Sequence, residues 1–351
     1  MNIPNTFERI LLVRTDRIGD VVLTTPSIKA LREKFPHAKI AILVSPQTQD
    51  LVQGNPYLDD VLVDDRLKDH AGWIGFFKLV TMIKKKNFDL AVIFHTKKRT
   101  NALCFLAGIP YRLGYKNNKW GGLLNFPLED KRHLGEHHEV EYCLELLKPL
   151  GVSSQHSSWE MYIPIHQEAE KWVETFLKEK RISSDRMLMA IHPGASDPSK
   201  QWPVHKFIEL MRLLRRRYSC QFVLIGAASV RLLAKEIITH LPDGVWDVTG
   251  QTTIGQLTSL LRRCRMLISN DSGPVHLAAA LQVTVVSIFT RNQPGISFKR
   301  WKPLGEKTRF ISVPYDDSFS FKKAGSASSK YLELIPTQQV FEEVDALLKV
   351  C

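Results

Sequence analysis

Cysteine is scarce, acidic residues are in the minority, and no apolar run is long enough to span a bilayer. The five cysteines (Cys104, Cys143, Cys220, Cys264, Cys351) include no Cys-x-x-Cys pair and no zinc-ribbon spacing. That excludes a disulfide framework and suits a reducing cytoplasm. The apolar stretch from Leu277 to Phe289 is interrupted by Gln282, Thr284 and Ser287 and falls short of the roughly 20 residues a spanning helix needs. The opening MNIPNTFERILLVRTD has no basic segment ahead of a long apolar core, so a cytoplasmic chain is expected rather than an exported one. No Gly-x-Gly-x-x-Gly follows any strand, which argues against a nicotinamide dehydrogenase. A P-loop and an Asp-x-Asp motif are missing too.

What is there is an ordinary globular composition. The 351 residues are 44% hydrophobic and 24% charged, enough for about two domains. Forty-eight Lys and Arg against 36 Asp and Glu give a net charge of +12, which implies acidic partners: nucleic acid, an anionic membrane face or a phosphorylated substrate. The excess is spread over the chain, since residues 1–160 hold 22 basic and 18 acidic side chains. The densest clusters, Lys84–Lys86 and Lys97–Arg99, are short. A nucleic-acid binder would interleave basic and aromatic residues on one face. None is seen, so no nucleic acid is expected as a partner.

Short β-branched runs alternate with helical patterns along the chain. Ile10–Arg14, Ile40–Val44, Val61–Val63 and Leu90–Phe94 read as strands, and Val21–Phe35, Phe76–Lys86 and Asn101–Ala107 as helices. The pattern restarts with strands at Met187–Ile191, Phe222–Ile225, Met266–Ser269 and Thr284–Phe289. Helices are expected there at Val204–Arg215, Val230–Ile238, Ile254–Leu261 and Val275–Leu281. Such alternation predicts an α/β chain of two Rossmann-like domains with parallel sheets facing across a cleft. The expected boundaries are 1–165 for the first domain, 166–185 for a linker helix, 186–335 for the second domain and 336–351 for a closing helix. Ligands bind beyond the carboxyl ends of such strands, so the loops there carry the functional reading.

Three loops stand out. In LISNDSGPVHLAAAL (267–281) a buried strand runs into a helix with Pro274 near its first turn. Asp271 and Ser272 read as capping residues, Gly273 admits a ligand to the backbone, and His276 interrupts an apolar helix. The turn is a natural anion site, where Asp271 is expected to accept a ribose hydroxyl or to orient the amides. In IHPGASDPSKQWP (191–203) a strand opens into a loop holding Gly194, Ser196 and Lys200, a set that suits a diphosphate. In RTDRIGDVVLTTP (14–26) Gly19 is expected to turn the chain sharply and Asp20 to fall in the first turn of a helix. Capping explains Asp20 there; a general base is the alternative. His133-Leu-Gly-Glu136-His137 matches an inverted zinc-peptidase pattern, but Gly135 interrupts it and the helix is expected to start after His138. No metal is expected.

These segments resemble the ADP-heptose:lipopolysaccharide heptosyltransferases of glycosyltransferase family 9, and the resemblance runs nearly end to end. RTDRIGDVVLTTPSIKALREKFP, FDLAVIFHTKKRTNALCFLAGIPYRLGY, HHEVEYCLELLKPLG, HPGAS…KQWP, SNDSGPVHLAAAL and IPTQQVFEEVDALL occur in the family's order. The resemblance implies a GT-B fold and inverting transfer of heptose from ADP-heptose to the Kdo–lipid A or heptosylated inner core of lipopolysaccharide. It implies Asp20 as catalytic base and Lys200 as the group that neutralises the departing diphosphate. Gly194, Ala195 and Ser196 match its phosphate loop, Asp271, Ser272, Gly273 and His276 its second donor motif, and Thr252 the loop at the adenine. Arg14, Arg17, Lys97, Lys98 and Arg99 are placed to meet an acidic acceptor. No cofactor is implied, since a lysine and a helix N-terminus can stabilise a diphosphate without metal. Peripheral contact with the anionic cytoplasmic face of the inner membrane is expected from the basic clusters; Trp73–Phe77 beside them reads as a buried helix start, with shallow insertion into that face as the alternative. A family member using another acceptor or another nucleotide sugar is the alternative. Two departures stand against the pattern. GAASV (226–230) replaces a Gly-Gly/Ser-x-x-Glu turn, removing an acidic ribose contact, and FTRNQPG (289–295) replaces a Gly-Pro-Thr/Ser turn.

Overall fold

The computed structural model describes residues 4–153, 159–313 and 333–350, so Cys351 and residues 314–332 of the expected second domain lie outside it. The chain divides into two compact units, Met1–Pro164 and Ile165–Cys351.

The first unit runs β1 (Arg9–Val13), α1 (Ile18–Lys34), β2 (Lys39–Val44), β3 (Asp60–Val63), α2 (Gly72–Lys85), β4 (Leu90–Ile93), α3 (Lys98–Leu106), β5 (Tyr111–Lys116), β6 (Phe126–Glu129) and α4 (Glu139–Glu145). Its sheet has the order β3-β2-β1-β4-β5-β6, with every pair parallel. Strands in the middle of a parallel sheet are covered on both faces, which is why ILLV, IAILV and LAVI are unbroken apolar runs. α1 is buried along most of its length and carries Pro26 in its interior. Proline removes the amide that would reach the Val22 carbonyl, and the Thr25 hydroxyl donates to that carbonyl instead, at 2.7 Å. α4 packs back on α1.

The second unit runs α5 (Gln167–Glu179), β7 (Met187–His192), α6 (Val204–Arg217), β8 (Cys220–Leu224), α7 (Arg231–His240), β9 (Val245–Asp247), α8 (Ile254–Arg263), β10 (Met266–Asn270), α9 (Gly273–Ala280), β11 (Thr284–Phe289), a single-turn α10 (Phe298–Trp301), β12 (Thr308–Ser312) and α11 (Thr337–Val350). Its order, β12-β11-β10-β7-β8-β9, repeats that of the first sheet, again all parallel. α5 packs on α8, where Glu170 pairs with Arg262 and Arg263, and α11 packs on α6. Trp202, 1% exposed, ties the loop after β7 into this core, its indole donating to the Ile335 carbonyl at 3.0 Å.

Several local expectations are corrected. β5, β6, β9 and β12 were not expected; they lie toward the outer edges of the two sheets, where half-covered strands lose the continuous apolar signature. α1 begins at Ile18, so Gly19 sits buried inside the helix and Arg14–Arg17 make the turn. Phe76 is buried, but Trp73, Ile74 and Phe77 are exposed rather than forming a buried helix start. α4 does start after His138, whose ring accepts from the Val140 amide at 3.3 Å. No helix among the described residues is long and apolar enough to cross a membrane.

Candidate active site

In both units the strand order reverses beside the first strand, between β1 and β4 and between β7 and β10. Loops that leave the carboxyl ends at such a switch point diverge and leave room for a ligand. Apart from Thr252, which follows the edge strand β9, the residues singled out in the sequence lie in the loops and first helical turns after these strands.

In the first unit the centre is Arg14, directly after β1 and 1% exposed. Its Nη2 donates to Asp20 Oδ1 and to Glu139 Oε1, each at 2.9 Å, and its Nε lies 3.2 Å from Asp16 Oδ1. Nη1 reaches the Phe94 carbonyl at the end of β4. Three carboxylates thus share one guanidinium, a pairing that burial demands. Burial raises the Asp20 carboxyl to about 7; Arg14 opposes the rise, while Asp16 and Glu139 add to it. Burial pushes Asp16 up as well. The Asp20 side chain retains 19% exposure, so it is both perturbed and reachable. Asp20 does fall in the first turn of α1, as expected, and its carboxylate also pairs with Arg14.

Around this centre His95 meets Thr15 at 3.2 Å, and Arg66 donates to the Thr15 hydroxyl. Burial, then the neighbouring cations led by Arg14, hold His95 down to about 3, leaving it neutral. Arg132 lies over the Tyr115 ring, 4.3 Å from its centroid, and pairs with Asp130. Of the other cations expected here, Arg99 is turned inward onto Asp64 at 2.8 Å. Arg17 and Lys98 are exposed, the latter 5.9 Å from the Trp120 ring centroid. Lys97 precedes α3, its amide donating to the Thr100 hydroxyl.

In the second unit the loops after β7 and β10 are joined by an ion pair between Lys200 and Asp271. Asn270 stitches the same loops: its amide donates to the Pro193 and Gly194 carbonyls, and its oxygen accepts from the Trp202 amide at 2.8 Å. Behind them, His192 Nδ1 lies 3.1 Å from the Ser272 hydroxyl and 3.3 Å from that of Ser269. Burial lowers His192 to about 4, so it bridges the serines as a neutral ring. Ser272 occupies the position before α9 without capping it, contrary to expectation, because its hydroxyl is held by Ser269 and His192. Asp271 likewise caps nothing and takes Lys200. His276 is 3% exposed, its ring 6.3 Å from that of Trp301. Ala195 is half-buried, Ser196 exposed, and Thr252 half-buried ahead of α8.

Gly194 has a packing reason. A Cβ there would meet Val230 Cγ2 at 2.4 Å, so the loop can pass only because residue 194 has no side chain. Val230 stands where the acidic residue of the family pattern was expected, and it is buried.

Sequence reasoning missed Asp16, Glu139, His192 and Arg291. Arg291 donates to Asp197 and Ser199 in the Lys200 loop, at 3.0 and 3.1 Å. Glu139 stands in EVEYCLE beside Glu141 and Glu145, so nothing local set it apart; for Arg291 the signal was the departure at FTRNQPG itself. No group of three or more His, Cys, Asp or Glu able to hold a metal exists among the described residues.

The sequence profile of glycosyltransferase family 9 (heptosyltransferase) matches residues 76–331. Lipopolysaccharide heptosyltransferase 2 of Escherichia coli K12 is 27% identical over 358 aligned residues, covering 97% of this chain and 98% of that protein. The structure of a family 9 glycosyl transferase from Veillonella parvula matches with a TM-score of 0.87 at 22% identity, covering 100% of this chain and 99% of that one. That of Escherichia coli ADP-heptose LPS heptosyltransferase II matches at 0.79 and 23% identity, covering 97% and 99%. The fold is the GT-B fold of these enzymes, and the chain belongs to glycosyltransferase family 9, the heptosyltransferases.

Proposed function

We propose that the protein transfers heptose from ADP-heptose to the Kdo/heptose inner core of lipopolysaccharide, with inversion at the anomeric carbon. The observation that carries this reading is Asp20: a carboxylate at the switch point of the first sheet, raised to about 7 by burial yet still accessible. A base with a pKa near the working pH is ionised often enough to act and basic enough to take a proton from a hydroxyl. In this reading Asp20 accepts the acceptor hydroxyl proton as that oxygen attacks the anomeric carbon. The bond to the β-phosphate breaks, and ADP leaves with the electron pair.

Lys200 neutralises the developing charge on the diphosphate, and Asp271 holds the ammonium in place. The amides around Ala195, Ser196 and Gly273 receive the phosphates, and Thr252 and His276 lie along the nucleotide and sugar. Arg17, Lys97 and Lys98 are the cations that would meet an acidic acceptor, and Arg14 and Arg99 act as positioning groups. The similarity to a protein named lipopolysaccharide heptosyltransferase 2 favours the monoheptosylated core as acceptor. Val230 in place of an acidic residue and Arg291 beside the Lys200 loop favour donor contacts that differ from the family pattern at the ribose and the sugar.

The test is transfer from ADP-L-glycero-D-manno-heptose to deacylated Kdo–lipid A and to its monoheptosylated form, for the wild type and Asp20→Ala. Turnover on one acceptor, lost in the variant while ADP still binds, supports the reaction and the base together. ADP binding without turnover moves the acceptor elsewhere, and failure to bind ADP overturns the donor.

A further inference from the structure

The outward face of α2 is unusual for a helix surrounded by water. Its inward face, Phe76, Leu79, Val80 and Ile83, closes the core of the first unit. The opposite face opens with Trp73, Ile74 and Phe77, which are 76%, 90% and 53% exposed, and continues with the exposed Lys78, Lys84 and Lys85. The preceding loop adds Leu67, 89% exposed, and Lys68. Single exposed apolar side chains are commonplace; four between residues 67 and 77 form a patch that calls for a partner.

The patch is held outward by a built scaffold. Asp65 Oδ1 accepts from the amides of Leu67 and Lys68, and Asp64 grips both Arg66 and Arg99. Arg99 also donates to the His70 carbonyl at 2.9 Å and lies over the buried Phe76 ring. A Cβ on Gly75 would meet the His70 carbonyl carbon at 2.5 Å. The loop therefore rests directly on the first turn of α2 and presents Leu67 and Lys68 with it.

Charge decides what the patch fits. Lys86 pairs with Asp60, but Lys68, Lys78, Lys84 and Lys85 make no ion pair among the described residues. In a two-fold dimer through this face the lysines would meet their own copies, a like-charge contact that opposes association. An anionic bilayer suits both parts: tryptophan and aliphatic side chains settle at headgroup level while lysines meet the lipid phosphates. We propose that this face of α2, with the loop before it, docks the enzyme on an anionic lipid bilayer, Trp73, Ile74 and Phe77 entering the headgroup region. The docking goes beyond the transfer reaction and stands without it.

The test is co-sedimentation of the full chain with phosphatidylglycerol-containing vesicles and with pure phosphatidylcholine vesicles, at low salt. Binding to the first and not the second is expected, weakening toward about 0.15 M salt, where the screening length is about 8 Å. Replacing Lys78 or Lys85 by Gln should weaken binding about fivefold each, and Ile74→Ser with Phe77→Ser at least roughly tenfold. Turnover on a soluble deacylated acceptor should be unchanged in the Ser variant. Should that variant unfold, quenching of the wild type by brominated lipid, absent in Trp73→Phe, reads the same contact. Wild type that ignores anionic vesicles, a folded Ser variant that binds like wild type, or quenching that persists in Trp73→Phe overturns the proposal. So does a dimer abolished by the Ser variant in a protein that leaves vesicles alone.

Discussion

The two units share one strand order, and their switch points hold opposite chemistry. In the first, a single buried guanidinium is surrounded by Asp16, Asp20 and Glu139, and burial, with the neighbouring carboxylates adding to it against Arg14, lifts the Asp20 carboxyl to about 7. In the second, Lys200 and Asp271 balance each other inside a net of neutral hydrogen bonds from Asn270, His192, Ser269 and Ser272. Topology places the loops; the sign of the local imbalance sets what each can do. A crowded set of carboxylates stores protons, which suits a base. A balanced pair of loops at the start of α9 is the kind of turn that suits an anion, such as a leaving group.

The contrast breaks most visibly at Asp20. Asp20→Asn is expected to lower kcat by roughly 10²–10⁴-fold, with ADP affinity by calorimetry unchanged; a fall in both would mean that the two sites are not separate in function. The fold should tolerate this change. A carboxyl raised in the folded state adds stability that is full below the unfolded pKa and is lost as pH rises toward about 7. The neutral amide should therefore be no less stable than wild type at pH 8, checked by urea unfolding.

Next comes Arg14→Leu, which leaves three carboxylates without their cation. A loss of about 3–5 kcal/mol is expected, measurable as a shifted denaturation midpoint, and partly recovered at pH 5, where the carboxyls hold protons. Lys200→Ala should weaken ADP binding about 10–100-fold with little change in the pH profile, because that profile belongs to the first unit. The finest probe is Glu139→Gln. Removing one like charge lowers the Asp20 pKa, so the acidic limb of kcat/KM, expected near pH 7 in the wild type, should move to lower pH by about half a unit to one unit. A limb that stays in place would detach Glu139 from the base.

Much of this was legible in the sequence because doubly covered parallel strands write themselves as apolar runs. IAILV and TVVSIF could be little else, whereas FPLE at an edge and the three-residue VWD carry no such mark. Polar residues at strand ends drew attention to Asp20, Lys200 and Asp271, although capping alone explained Asp20 and Asp271 just as well. Glu139 was hidden because its role depends on α4 returning to α1, a contact 125 residues apart that no local pattern encodes. Gly194 has a cause the sequence did not show: a side chain there would run into the methyl of Val230.

The strand order also sets a timetable for the emerging chain. β1 can pair with β2 almost at once, but its other edge waits for β4, 77 residues beyond Val13. At about 5–20 residues per second, translation leaves that apolar edge open for roughly 4–15 seconds. β7 repeats the wait until β10 is made. Twice during its synthesis, then, this protein shows the ribosome's surroundings a central strand with one edge unpaired, and a truncated product ending before Leu90 or before Met266 would keep that sticky edge permanently.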